Sequence, residues 1–376
     1  MPRLLSLFAI LLTVQYAFTQ PADYRLAAIP EGANLFGYAN LKGEMVIEPQ
    51  FYQAFGFDPN GVSLGFLKTE VSYHGTPSGK KEKVKPFVFF DSNGNPLKEH
   101  TGTLHMVPQK FNYAREMRGF YDGIFIASSN ERLTDRYGIN HEGKVVTKSD
   151  YTWMSFFNEG FAIAKYRKSG YVIVKPSQDD APIDGVEVEK AKDPTEGLAA
   201  VRTKNGLWGF VNSEGEVVIP AQFKDVGNFW GGYCWARNDQ DLIGFINKDG
   251  EWVIQPKFTK AKYLDPVSGI AMVVEKRDWC YVNLEGEITY GEKKQKIYPY
   301  SEGLAIKRDP NTKKVGCIDA NGEWVIEPTL DVVRPFLHGF ATAKQGKLWG
   351  LLDKKGEWVI EPKFVQLMDA YPVYRD

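Results

Sequence analysis

Histidine and cysteine are scarce, at five and three residues in 376, and neither gathers into a metal site. Glu99, His100 and His105 come nearest, but their spacing is not the i, i+4 arrangement of a helical zinc site, and His74, His141 and His338 are scattered. No metal and no cofactor is expected. An excess of one charge is missing too: 46 Lys and Arg against 47 Asp and Glu leave a net charge of -1. No long-range field then argues for nucleic acid or an anionic membrane as partner. No stretch sustains an apolar period of 3.6 over a helix-length window, so the fold should be almost free of helix.

Long apolar runs are confined to the start of the chain. Arg3, the apolar residues 4–14 and the small residues Ala17 and Thr19 read as a secretory signal over residues 1–19, cleaved before Gln20. The run is too short to span a bilayer. No Cys follows it, so a lipid anchor is not supported. The mature chain, residues 20–376, is expected in the periplasm or outside the cell, with no transmembrane segment after cleavage.

What the chain does contain is repetition. Residues 197–258 show one pattern twice: Gly197-Leu198-Ala199-Ala200-Val201, Leu207-Trp208-Gly209-Phe210-Val211-Asn212, Glu214-Gly215-Glu216-Val217-Val218-Ile219 and Phe223, then Gly232-Tyr233-Cys234-Trp235-Ala236, Ile243-Gly244-Phe245-Ile246-Asn247, Asp249-Gly250-Glu251-Trp252-Val253-Ile254 and Phe258. One glycine marks a turn at Gly43, Gly94, Gly143, Gly215, Gly250, Gly286, Gly322 and Gly356; a second opens a Gly-hydrophobic-Ala strand at Gly160, Gly197, Gly232, Gly269, Gly303 and Gly339, with weaker members at Gly61 and Gly123. The doubled gap from Gly143 to Gly215 places a degenerate turn near Asp179. A fixed period of this length is the signature of a repeat architecture. Counting from Arg25 gives about nine units.

Each unit reads as three short antiparallel strands, with Asn, Asp or Glu beside Gly as the hairpin signal. Pro256, Pro328 and Pro362 should end the third strand by removing a ladder donor. The fold class is therefore all-β: an open, superhelical β-solenoid of three-stranded units, its ends capped by residues 20–24 and 365–376. Propeller-like closure is the alternative, disfavoured because no spare strand seals a ring and the period is short for four-stranded blades. Insertions at 70–86, which carries the lysine run 80–85, and at 97–116 read as solvated loops.

The segments Leu207-Trp208-Gly209-Phe210-Val211-Asn212 and Leu348-Trp349-Gly350-Leu351-Leu352-Asp353, each followed by a turn and a Val-Ile strand with Pro, resemble the bacterial WG-repeat family over residues 25–364. That resemblance implies a β-rich repeat array, usually without known catalysis and without defined functional residues, so it transfers no site.

Within the repeat frame most motifs have plain readings. Gly61-Val62-Ser63-Leu64-Gly65 matches a nucleophile elbow, but Ser63 aligns with Ala199 inside a strand and no helix follows. Asp91-Ser92-Asn93-Gly94-Asn95 and residues 238–241 fall where turns are required, which accounts for them better than calcium does. Cys280 replaces the Trp-Gly glycine and Cys317 stands one position later in its unit, so the two thiols face apart and no disulfide framework is expected. Because a Cys fits there, that position does not demand positive φ; the glycine should instead admit a neighbouring side chain such as the flanking aromatic.

Trp252, Trp324 and Trp358 share one repeat position and Trp208, Trp279 and Trp349 another, as expected of rings that join successive units. Trp230 and Trp235 break the pattern, standing where other units have Leu337 and Ala200, and are the candidates for ligand contact. The functional reading is a non-enzymatic exported protein whose repeat surface binds a macromolecular partner, a protein or an envelope or extracellular glycan. The alternative is a carboxylate-dependent hydrolase acting on glycans through the irregular units. A glycosidase needs two carboxyls about 5 to 9.5 Å apart, and Glu70, Glu116, Asp122 and Glu159 are available, but no spacing selects a pair.

Overall fold

The computed structural model describes residues 23–67, 72–75, 81–84, 87–100, 105–106, 120–128, 135–167, 170–291 and 296–373. The expected signal at 1–19, Glu70 and Glu116, most of both insertions, and the side chains of His74, Glu99, His100 and His105 lie outside the described residues. Every described element is a strand.

Four consecutive units form separate sheets of four strands, not three, while the remaining units join edge to edge into sheets of seven and eleven strands. One runs Val188–Ala191, Ala199–Thr203, Trp208–Val211, Val217–Phe223; the next Asp225–Val226, Cys234–Arg237, Ile243–Ile246, Trp252–Phe258. Two more follow, from Lys260–Asp265 to Ile288–Tyr290 and from Tyr300–Ser301 to Trp324–Leu330. All pair antiparallel in chain order. The unexpected strand is the short piece that follows the outer strand of the unit before it. It turns back through a two-residue hairpin such as Thr195–Leu198, where Glu196 and Gly197 both have positive φ (52° and 80°). Positive φ at both central residues is what a type I′ hairpin needs, and glycine supplies it without strain.

The third hairpin is fixed by its Asn or Asp. Asn212 Oδ1 accepts the amides of Glu214 and Glu216, both at 3.0 Å, and Gly215 takes φ 85°. Asn40, Asp91, Asn140, Asn247, Asp319 and Asp353 repeat this, a side chain mimicking a backbone turn. The degenerate turn is Lys175 to Gln178, closed by Gln178 N to Lys175 O at 3.3 Å, with Ser177 taking φ 59° in place of glycine.

The Trp-Gly glycine has a different cause from the one expected. Trp208 pairs with Phe223 and Phe210 with Ile219, so two steps of the third strand span four of the outer one. The outer strand therefore arches, and a Cβ on Gly209 would overlap the Ile219 carbonyl oxygen. The same arch recurs over Gly37, Gly244, Gly316 and Gly350, none at positive φ. It is chiefly a backbone carbonyl, not the flanking aromatic, that excludes a side chain. Pro256, Pro328 and Pro362 lie within the arched strands and do not end them, because the residues there have left the ladder and need no donor. Where Cys280 replaces the glycine, the outer strand pairs straight, Cys280 with Tyr290 and Val282 with Ile288. Val172 behaves likewise opposite Pro182.

Each unit leaves one face apolar, and the next covers it. Ala200, Phe210 and Phe223 share a buried cluster with Cys234, Ala236 and Ile246, against which Trp252 packs; its ring meets Phe223 edge-on at 5.5 Å. Trp324 and Trp358 join their units to the preceding ones in the same way. Trp208 is buried, whereas Trp279 is 38% exposed.

The first and last described strands meet. Asp23, Tyr24 and Arg25 pair with Val373, Pro372 and Tyr371, and Ala28 and Ile29 with Leu367 and Gln366. The C-terminal segment thus supplies the inner strand of the first sheet. Leu26, Ala28 and Ala39 bury against Leu351, Ile360 and Phe364, and Arg25, 2% exposed, donates through Nε to Ser92 O at 2.8 Å. The tail expected to cap one end therefore pairs with the strand that opens the array.

Candidate functional site

The inner hairpins are joined by carboxylates. Asp122 accepts the amide of Gly160 (2.9 Å), Glu196 those of Gly231 and Gly232, Asp265 those of Glu302 and Gly303 (2.8 and 2.9 Å), and Glu302 that of Gly339 (2.9 Å). Glu159 accepts from Gly197 in the same manner. Each acid sits just before a marker glycine, or four residues before it in the case of Asp265, and reaches one unit forward. Charge-assisted bonds of this kind are shorter and stronger than neutral ones. Lys248 lies 3.3 Å from Glu196 and Lys354 3.4 Å from Glu302, at matching places in their units. Burial raises the Glu159 pKa, opposed by Lys248 and reinforced by the neighbouring Glu196 and Asp122.

The hairpin Trp230 to Tyr233 departs from this scheme. Gly231 stands where Asp122, Glu159, Glu196 and Glu302 stand in their turns, with φ 61°, so this turn sends no carboxylate forward. Gly231 lies against Pro266 instead, and the Trp230 ring meets Tyr263 edge-on at 6.3 Å. Here a cavity of about 720 Å³ opens, lined by Trp230 and Trp235 and by residues of the three following units, among them Tyr263, Tyr298, Val267 and Val332. Both tryptophans singled out from the sequence are thus at one cavity. Trp230 is 38% exposed, Val267 64% and Val332 41%. Trp235 is half-buried; Lys192 Nζ stands 5.5 Å from its ring and 4.4 Å from that of Trp208.

The acids of the cavity are engaged. Asp265 also accepts Ser268 N and Oγ. Asp331 accepts from Lys314 at 2.6 Å and Gly346 N at 2.7 Å, which holds its pKa down. Asp369 accepts from Thr342 Oγ1 at 3.3 Å and lies 3.9 Å from Arg334.

Six stretches of the sequence, 36–64, 139–168, 208–240, 243–277, 316–349 and 349–369, match the family described as WG containing repeat. The chain belongs to the WG-repeat family. No curated protein matches this sequence. Among solved structures, a eukaryotic initiation factor superposes with a TM-score of 0.54 at 12% identity, over 93% of this chain and 98% of that one. BamB from Moraxella catarrhalis gives 0.37 at 8% identity over 78% and 96%, and the computationally designed Ika8 protein 0.39 at 11% over 82% and 98%. At these identities the likeness concerns the fold alone, and only the first is close enough to bear on it.

The other candidates in this WG-repeat chain have structural work. Ser63 is buried in Val62–Leu67, its Oγ donating to Phe55 O and Gly56 O at 3.0 and 3.2 Å, which is the bond of a strand residue and not of an exposed nucleophile. Asp122 and Glu159 are the turn links already described. Asp91 is a turn residue, its pKa lowered by the bonds it accepts from residues 93–95 despite burial. Cys234, Cys280 and Cys317 are all free and buried, and burial raises each thiol. Sequence reasoning missed Lys262, Tyr263 and Tyr298. Their one signal was Asp265-Pro266, which repeats Asp193-Pro194 at the same distance from the marker glycine.

Proposed function

We propose that this protein is a binding scaffold: a ring of nine four-stranded units, closed by its C-terminal strand, that engages a partner protein at the Trp230 cavity. Four-stranded sheets set around an axis, with the last strand of the chain completing the first sheet, describe a propeller-like ring. The carrying observation is that Trp230 and Trp235, the two tryptophans outside the repeat pattern, line the same cavity at a hairpin where glycine stands in place of the linking acid. A largely apolar, concave surface bearing an exposed Trp is the anatomy of an interaction hot spot. Among the described residues the candidate acids are engaged in turns and the thiols are buried, which supports a non-enzymatic role. Export through the signal at residues 1–19 is part of this reading.

The test is capture from extracts of the source cells by the full chain and by its Trp230→Ala variant. A protein held by the wild type and lost from the variant supports the reading. Equal capture by both, or capture of glycan alone, refutes it.

A further inference from the structure

The seams between units are filled to a common plan, and one seam departs from it. The outer strand of a unit usually sends two apolar residues into the cluster it shares with the next: Ile47 and Phe51, Ile219 and Phe223, Ile254 and Phe258, Ile326 and Leu330, Ile360 and Phe364. Among the described residues, the outer strand Ile288–Tyr290 sends none to the cluster of Met272 and Tyr281 with Tyr300, Ala305 and Ile318. The cause is its straight pairing: Tyr290 stands as far from its turn glycine as Ile219 does, but lies opposite Cys280 and is 49% exposed where Ile219 is buried. Ile297 packs against the cluster, and a cavity of about 270 Å³ remains, lined by Ile270, Ile306, Ile318, Tyr281, Tyr290 and Tyr300.

The rings at this seam are also changed. Where Phe210 meets Phe229 at 4.8 Å, the same repeat positions bring Tyr281 to Tyr300 at 5.1 Å, with a hydroxyl added to each ring. A buried hydroxyl is costly unless it is bonded. Both are bonded as donors, Tyr281 to Tyr298 O at 2.8 Å and Tyr300 to Asp319 O at 2.9 Å. A hydroxyl has one proton to give and two lone pairs, so these oxygens can still accept. The charged groups that also line the cavity have partners: Glu287 accepts from Asn283, and Lys296 and Lys307 stand over the rings of Tyr298 and Trp324.

We infer that this cavity takes a planar two-ring aromatic molecule that carries a hydrogen-bond donor, its rings against the isoleucines and tyrosines and its N–H or O–H given to a tyrosine oxygen. Size sets the first half of that description: about 150 Å³ of apolar cavity holds one benzene ring, and this one leaves room for a second. The spent hydroxyl protons set the other half, because a ligand that offered only acceptors would meet oxygens with nothing left to give. Neither Trp230 nor Trp235 lines this cavity, so it can be tested apart from the partner surface described above.

The full chain is titrated into fluorinated indole while the fluorine NMR line is followed, and the probe is then displaced with indole and with benzothiophene, which has the same shape and no donor. The line should broaden on binding, and indole should displace the probe about tenfold better than benzothiophene, the worth of one hydrogen bond. Thr289 lines the cavity and is exposed, so Thr289→Trp should obstruct binding and keep the wild-type melting temperature. Replacing both Tyr281 and Tyr300 by Phe should bring the two compounds within about threefold of each other, and Trp230→Ala should bind the probe as the wild type does. An unchanged line, equal displacement by the two compounds, a preference for indole that survives loss of both hydroxyls, or binding that survives Thr289→Trp or needs Trp230 overturns the inference. None of these outcomes touches the capture of a partner protein, which depends on the other cavity.

Discussion

A single methyl group separates the two kinds of unit in this chain. A Cβ at Gly209 meets the Ile219 carbonyl and the Ala221 amide, backbone atoms that have no rotamer to escape into, so Gly209→Ala should cost about 1–3 kcal/mol, the range for overpacking. Cys280→Gly should also destabilise, since its outer strand has no arch to admit and a buried side chain is lost. Denaturant midpoints for both variants check the pair, and tolerance of Ala at Gly209 would show the arch to be soft. The sequence carried the first half of this: Cys280 ruled out positive φ, and the glycine had to admit something. That the visitor was a carbonyl was not legible, because the arch is a matter of register. A second residue ties stability to pH. Asp193 accepts Phe156 N at 3.0 Å from the preceding unit, and burial pushes its pKa up to about 6. An acid raised in the native state holds its proton more readily there than when unfolded, so stability falls as pH rises from about 4 to 6. Asn keeps the acceptor and loses the titration. Asp193→Asn should match the wild type near pH 4 and exceed it by about 1–2 kcal/mol above pH 6, allowing for the partial exposure of the group, as melts across that range would show.

Strands and hairpins carry the next level of organisation. The forward-reaching acids make each inner hairpin a clasp on its successor, and Glu196→Gln, which turns one acceptor oxygen into a donor facing an amide, should cost about 1–2 kcal/mol. Hydrogen exchange should quicken first at Gly231 and Gly232, and uniform exchange around the array would deny the clasp. The three longer strands of each unit could be read from the glycine markers and apolar runs. The inner strand could not, since at two residues, as in Asp225–Val226, Tyr300–Ser301 or Val332–Val333, it is too short to show a period. The same gap hid the far wall of the cavity: Trp230 and Trp235 stood out by breaking a local pattern, but Tyr263 and Lys262 come from the inner strand Lys260–Asp265, and only the packing of one unit on the next brings them alongside.

For the molecule as a whole, the pairing of the first strand with the last rests on a few residues near the C-terminus. Tyr371 is 2% exposed and its ring fills the space beside Gly56. Tyr371→Ala should cost about 3–5 kcal/mol, the range for large core aromatics, and should open the first sheet to protease before the remainder. Because Asp23 and Val373 are direct partners, a short linker between them, with new ends cut at residues 205 and 206 in an exposed turn, should give a permuted chain that melts within a few degrees of the parent. Loss of folding in the permutant would contradict the pairing of the ends. Nothing in the sequence announced that pairing, since its partners stand at opposite extremes of the chain and share no periodic signal, which is why an open array looked adequate.

The strand that borders Tyr24 and Arg25 comes from more than three hundred residues further along the chain, so that edge stays bare until residues 371–373 arrive. A bare edge is a template for pairing with other copies. Losing Tyr371–Val373 should therefore turn a soluble partner of the first sheet into a sticky seam, and such chains should betray themselves by clumping.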